Sequence, residues 1–143
     1  MTTTVRSAID SVTSTTMLDF TALRRPSNAL TAALSSAGHA FSLDALAYPA
    51  GTVIPGFQFS APVVTTVYYS AADVLGMDEN QLALLYWSGT QWQDASTTCT
   101  PTSAYTRYPT ENRIALPICR VGEFALVGQR TVSPLFLPGI YKN

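Results

Sequence analysis

The chain has 143 residues, of which 47% are hydrophobic and only 12% charged, with a formal net charge of −1. One domain with a sizeable core fits that length, and the charge balance excludes a surface built for nucleic acid or an anionic membrane. No stretch approaches the about 20 apolar residues of a membrane-spanning helix.

The charged share is about half of the usual one, and Thr and Ser take its place as solvating residues. Lys142 is the one lysine, beside seven arginines. Such a surface is characteristic of extracellular proteins. The two cysteines, Cys99 and Cys119, suit a disulfide in an oxidising compartment, with two separate buried thiols as the alternative. His39 is the sole histidine and neither cysteine has a CxxC partner, which argues against a metal site. No cofactor is implied. The first 30 residues carry no signal-peptide pattern, because Arg6 and Asp10 interrupt and no apolar stretch follows. A secreted protein of this sequence is expected to be a mature form or an excised piece with an added Met1.

Residues 1–16 are rich in Thr and Ser and read as a leader or an edge strand. Met17–Leu23 is the first good strand, ended by Pro26. Ala29–Leu34 is ambiguous, and Ser35–Gly38 reads as a turn. Ala40–Leu46 alternates, with Phe41, Leu43 and Ala45 on one face, and predicts a half-buried strand. After a turn at Tyr48–Thr52, Val53-Ile54 and Phe57–Phe59 are short strand pieces. Pro62–Tyr69 is the longest β-branched run and the clearest strand. Ser70–Gly76 predicts one short helix, with Ser70 as N-cap, Asp73 at the third helical position and Gly76 as the stop.

Leu82–Ala95 is a β-hairpin around Ser88-Gly89, with Trp87 and Trp92 flanking the turn. Tyr105–Tyr108 and Arg113–Cys119 form a second hairpin about the turn residues Pro109–Asn112, and Gly122–Gly128 is the last strand. Short strands at this spacing, about eight to ten of them, predict an all-β fold, a sandwich or a barrel; the expected form is a single antiparallel Greek-key sandwich. It is expected to span residues 17–130, between the N-terminal segment 1–16 and a tail 131–143. Trp87, Trp92, Tyr86 and Phe124 are the expected core anchors. Gly128–Thr131 reads as a polar hinge. The tail beyond it carries Leu135, Phe136, Leu137 and Ile140 between and after Pro134 and Pro138.

Ala61–Val63, Tyr68–Ser70, Asp73–Glu79, Leu84–Trp87, Trp92–Ala95, Asn112-Arg113 and Ile118–Gly128 together resemble a β-sandwich module. That module belongs to large secreted proteins of filamentous anoxygenic phototrophic bacteria and is distantly ZU5-like. Tyr48–Val53 is similar to the "PAGTV" turn of that group, and Leu135–Asn143 resembles its "LPLIYKN"-type endings. Gly139 departs from the usual apolar residue, and the first 35 residues match nothing in the group. The resemblance implies an extracellular, non-catalytic setting with a Cys99–Cys119 bridge.

Candidate chemistry is sparse. His39, Ser42 and Asp44 lie too close on one strand to present a nucleophile, base and orienting acid to a substrate. Some ZU5-related domains cleave themselves at His-Phe-Ser, and here His39-Ala40-Phe41-Ser42 is one residue out of register. Asp73, Asp78 and Glu79 lack the spacing of a calcium loop. Tyr105, Tyr108, Trp87 and Trp92 allow a sugar-stacking platform, although core packing accounts for them as well. The reading is a non-enzymatic structural or interaction module of a cell-surface or secreted self-assembly. Its terminal segments would pair with neighbouring copies of itself, as an oligomer or filament. The alternative is a module that binds cell-surface polysaccharide.

Overall fold

The computed structural model describes residues 2–7, 16–31 and 33–131. Among the described residues there are nine strands: β1 Thr2–Ser7, β2 Thr16–Leu23, β3 Ser35–Ala47, β4 Gln58–Tyr68, β5 Ala83–Trp87, β6 Trp92–Asp94, β7 Thr106–Tyr108, β8 Arg113–Arg120 and β9 Gly122–Gly128. They form two antiparallel sheets, a four-stranded one in the order β1-β4-β8-β7 and a five-stranded one in the order β2-β3-β9-β5-β6. The fold is an all-β sandwich. Its connections pass repeatedly from one sheet to the other, in keeping with a Greek-key arrangement.

Alternation along each strand builds the core. Val63 and Val67 of β4 and Ile114, Leu116 and Ile118 of β8 point inward from one sheet. Phe41 and Leu43 of β3, Leu84 of β5 and Phe124 and Leu126 of β9 meet them from the other. β9 lies between β3 and β5 and is buried on both faces, so its continuous apolar run has a physical reason. On the outer face Ala125 and Val127 form a second small cluster with Ala40 and Leu85, packed by Leu23, Leu30, Leu34 and Trp92. The Trp92 indole N–H donates to the Asn28 carbonyl at 3.3 Å, which pins the segment after β2 over this sheet.

Both expected hairpins form, Trp87 opposite Trp92 and Tyr108 opposite Arg113. The two tryptophan rings meet edge to face at 5.3 Å, each half-buried. Trp92 packs on the outer cluster, Tyr86 packs partly buried against the main core, and Phe124 lies fully inside it. The prolines sit where a ladder can spare an N–H. Pro117 lies in β8 beyond the last residue paired with the short β7, and Pro62 lies in the irregular stretch of β4.

Three local expectations change. Ser35–Gly38 is not a turn but the start of β3, interrupted by a bulge between Ser36 and Ala40 that Gly38 allows with φ +81°. Gln58 and Phe59 begin β4 and are not a separate strand. Ser70–Gly76 forms successive turns with i to i+3 bonds and no helix. The reciprocal bonds between Ser70 and Asp73 are present, but so short a segment cannot propagate past its costly first turn. What helix there is among the described residues consists of three short 3₁₀ turns, Glu79–Gln81, Ala95–Thr98 and Pro109–Glu111.

Candidate interaction surfaces

The candidate triad does not assemble. Ser42 and Asp44 project from the face of β3 opposite to Phe41 and Leu43. His39 is not a turn residue: it is 2% exposed within β3, and its Nε2 meets Asp73 Oδ2 at 2.9 Å. Its Nδ1 is buried and has no hydrogen-bond partner among the described residues. This histidine holds the 70–76 turns against the β3 bulge, where a Cβ on Gly38 would fall 2.9 Å from Asp73 Oδ1.

Burial pushes the Asp73 pKa up, but the Ser70 backbone N–H, the bond to His39 and the Ser70 side chain outweigh it, leaving the carboxyl below its ordinary value. The sign of the linkage follows. A depressed carboxyl pKa contributes stability that is complete above the unfolded value of about 4 and is lost as pH falls through the lower folded value. Urea unfolding at pH 6 and pH 3 is expected to show a smaller acid loss for Asp73→Asn than for the unaltered chain. Equal losses would show that this pair carries no pH-dependent stability.

The other acidic residues are spent locally. Asp78 accepts from the Asn80 N–H at 2.9 Å, and Glu79 accepts from the Tyr69 hydroxyl at 2.9 Å. Burial, then this bond, raises the Tyr69 pKa. Among the described residues no group of three or more His, Cys, Asp or Glu side chains is placed to hold a metal.

The four aromatics of the candidate platform do not share a surface. Tyr105 turns inward: its hydroxyl accepts from the Leu84 N–H at 2.9 Å and lies within bonding distance of Asp94 Oδ1, at 2.7 Å, and of the Leu84 carbonyl, at 3.0 Å. Burial first, and the Asp94 carboxylate second, push its pKa up. Arg107 stacks over the Tyr105 ring at 4.6 Å and gives Nε and one terminal nitrogen to the Leu82 carbonyl. These two side chains clamp β5 to the approach to β7. Tyr108 alone of the four belongs to the outer face of the four-stranded sheet, where the Arg113 guanidinium covers its ring at 3.6 Å.

Cys99 and Cys119 are bonded. Cys99 follows the 3₁₀ turn that hangs from β6, and Cys119 lies in β8, so the bridge links the two sheets.

The feature least explained by folding is β2. It pairs with β3 along one edge only, and among the described residues no strand pairs with its other edge. Met17, Leu18 and Phe20 are 36%, 38% and 42% exposed there, although the Phe20 ring stacks on Phe41 at 5.3 Å. A long apolar edge strand is a template for another strand. The expected docking residues Leu135, Phe136, Leu137 and Ile140 lie outside the described residues, as does Lys142. Gly128–Thr131 does not act as a free hinge, because Arg130 bridges Met77 and the Thr131 N–H donates to the Gly76 carbonyl at 2.8 Å.

Among the described residues no helix is long and apolar enough to cross a membrane. Compared with known protein families, curated proteins and solved structures, the chain matches none.

Proposed function

We propose that this protein is a non-catalytic building block of a secreted or cell-surface assembly, in which the apolar tail of one copy docks on strand β2 of the next. The observation that carries the reading is the outer edge of β2, with which no strand pairs among the described residues, and Leu18 and Phe20 exposed beside it. Strand addition at such an edge supplies backbone hydrogen bonds, and buried side chains supply specificity. Leu135, Phe136 and Leu137 have the matching character, and burying them is worth roughly 25 cal/mol per Å². A low-charge surface and a disulfide support the extracellular setting.

Reach favours a neighbour as the donor. Phe20 pairs with Leu43, which pairs with Gly122 at the start of β9, whereas the chain leaves from the other end of β9. Phe20 is therefore about 20 Å back along the sheet from Gly128, and about 10 Å to the side. Leu18 is about 7 Å farther still. From the tether at Thr131 an extended chain covers only about 14 Å to Leu135 and about 21 Å to Leu137. A tail that turned back would reach the Leu23 end of its own β2, about 14 Å from Gly128, but its Leu135–Leu137 run would end short of Leu18. Donor and acceptor surfaces that differ in this way make a heterologous contact, which propagates into rings or filaments.

Complementation tests the reading. Full-length protein should sediment as growing oligomers with rising concentration. Deletion of 133–143 and, separately, Leu18→Asp should each give folded monomers by far-UV dichroism. The tail-deleted chain keeps the acceptor and the Leu18→Asp chain keeps the donor, so their mixture should form a one-to-one pair. Monomeric full-length protein, or deletion that leaves the oligomers unchanged, would overturn the proposal.

A further inference from the structure

The outer face of the four-stranded sheet has a relief that packing does not require. Strand register places its outward residues in three rows across the strands. The first row runs Tyr68, Arg113, Tyr108 over β4, β8 and β7. The middle row is small: Thr4, Thr66, Ala115 and Thr106 over β1, β4, β8 and β7. The third row opens with Arg6 beside Val64. A floor of hydroxyls and one methyl between two taller rims leaves a groove of about 510 Å³. It runs perpendicular to the strands for about 14 Å, three strand spacings. β1 and β7 are the edges of this sheet among the described residues, and no described strand closes either end of the groove.

Its charge is of one sign. Among the described residues the only charged side chains lining it are Arg6 and Arg113, on opposite rims, and no carboxylate lines it. Arg113 is already held in place: it lies over the Tyr108 ring at 3.6 Å, and Glu111 accepts from its Nε and one terminal nitrogen, each at 3.0 Å. A fixed guanidinium loses little conformational freedom when it meets a planar anion. The Tyr68 ring stands beside it, 42% exposed.

We infer that this groove binds a segment of acidic polysaccharide, with ring faces of the sugars on Tyr68, hydroxyls on the threonine floor and uronate carboxylates on Arg6 and Arg113. Ends that no described strand closes suit a polymer that passes through rather than a small ligand that must be enclosed. A polar floor with hydroxyl donors suits sugar better than an apolar peptide. Two cations are too few for a nucleic acid, whose affinity rests on many neutralised phosphates. Arg and carboxylate match as paired donors and acceptors, which gives the acidic sugar its preference over a neutral one. The inference stands apart from assembly, since it uses neither β2 nor the tail.

Native affinity electrophoresis of the full-length chain through gels containing polygalacturonate or dextran tests it. Polygalacturonate should retard the protein, dextran should not, and 0.5 M salt should abolish the shift in a parallel pull-down. Arg6→Gln and Tyr68→Ala should each weaken retardation about tenfold while melting like the unaltered chain, since both side chains face solvent. Arg24→Gln with Arg25→Gln, on the exposed loop after β2, should bind undiminished. The inference fails if polygalacturonate gives no retardation or if dextran retards equally. It also fails if the Arg24/Arg25 variant loses as much as Arg6→Gln, because the attraction would then be general charge and not this groove.

Discussion

Phe124→Ala is expected to destabilise the domain by about 3–5 kcal/mol, enough to remove most of the stability of an ordinary domain. Phe124 is fully buried at the centre of the five-stranded sheet, in the strand with both faces covered. Its ring stacks on Phe41 at 5.2 Å and meets Tyr86 at 5.3 Å, and Phe41 continues the series to Phe20. Truncation leaves a cavity that strands cannot easily close, because each is held by ladders on both sides. Urea titration followed by far-UV dichroism should move the midpoint sharply or show no cooperative transition at all. Phe124→Leu should keep the transition with a much smaller loss. A midpoint for Phe124→Ala within about 1 kcal/mol of the unaltered chain would remove Phe124 from the core.

That central position was half legible in the sequence. Apolar alternation located β3, the β-branched run Pro62–Tyr69 located most of β4, and the turn chemistry of Ser88-Gly89 and Pro109–Asn112 located both hairpins and with them β8, because each signal is local. The sheet order is not local. Nothing in Gly122–Gly128 alone says that it inserts between β3 and β5, and only its lack of alternation hints at a covered outer face. The same limit hid the polar contacts. Tyr105 meets Leu84 across 21 positions and His39 meets Asp73 across 34, so neither partner was visible from spacing. Gly38 read as a turn because a glycine with positive φ serves a turn and a bulge equally well. The groove of Arg6, Tyr68 and Arg113 needs the register of three strands before its residues become neighbours.

Reduction of the Cys99–Cys119 bond, or its replacement by Cys99→Ser with Cys119→Ser, is expected to cost about 3 kcal/mol. The bond closes a loop with a sequence separation of 20, and the loop-entropy relation gives that figure through loss of freedom in the unfolded chain. For a domain of this size the melting temperature should fall by about 10 °C. The bridge has a second consequence that a bond within one sheet would lack. Cys119 sits in β8 of one sheet, while Cys99 is carried by the 3₁₀ turn that follows β6 of the other. Without the bond this segment is held to β8 by the Cys119 N–H donating to the Thr98 hydroxyl at 3.1 Å and the Ser103 hydroxyl donating to the Pro117 carbonyl at 2.6 Å, beside packing. Opening should therefore concentrate at this end of the sandwich, and amides of Ala95–Ser103 should exchange faster than those of β9. Intact mass without reductant should lie two hydrogens below the reduced value. Labelling of both thiols in the untreated folded protein, or an unchanged melting temperature after reduction, would refute this account of the bridge.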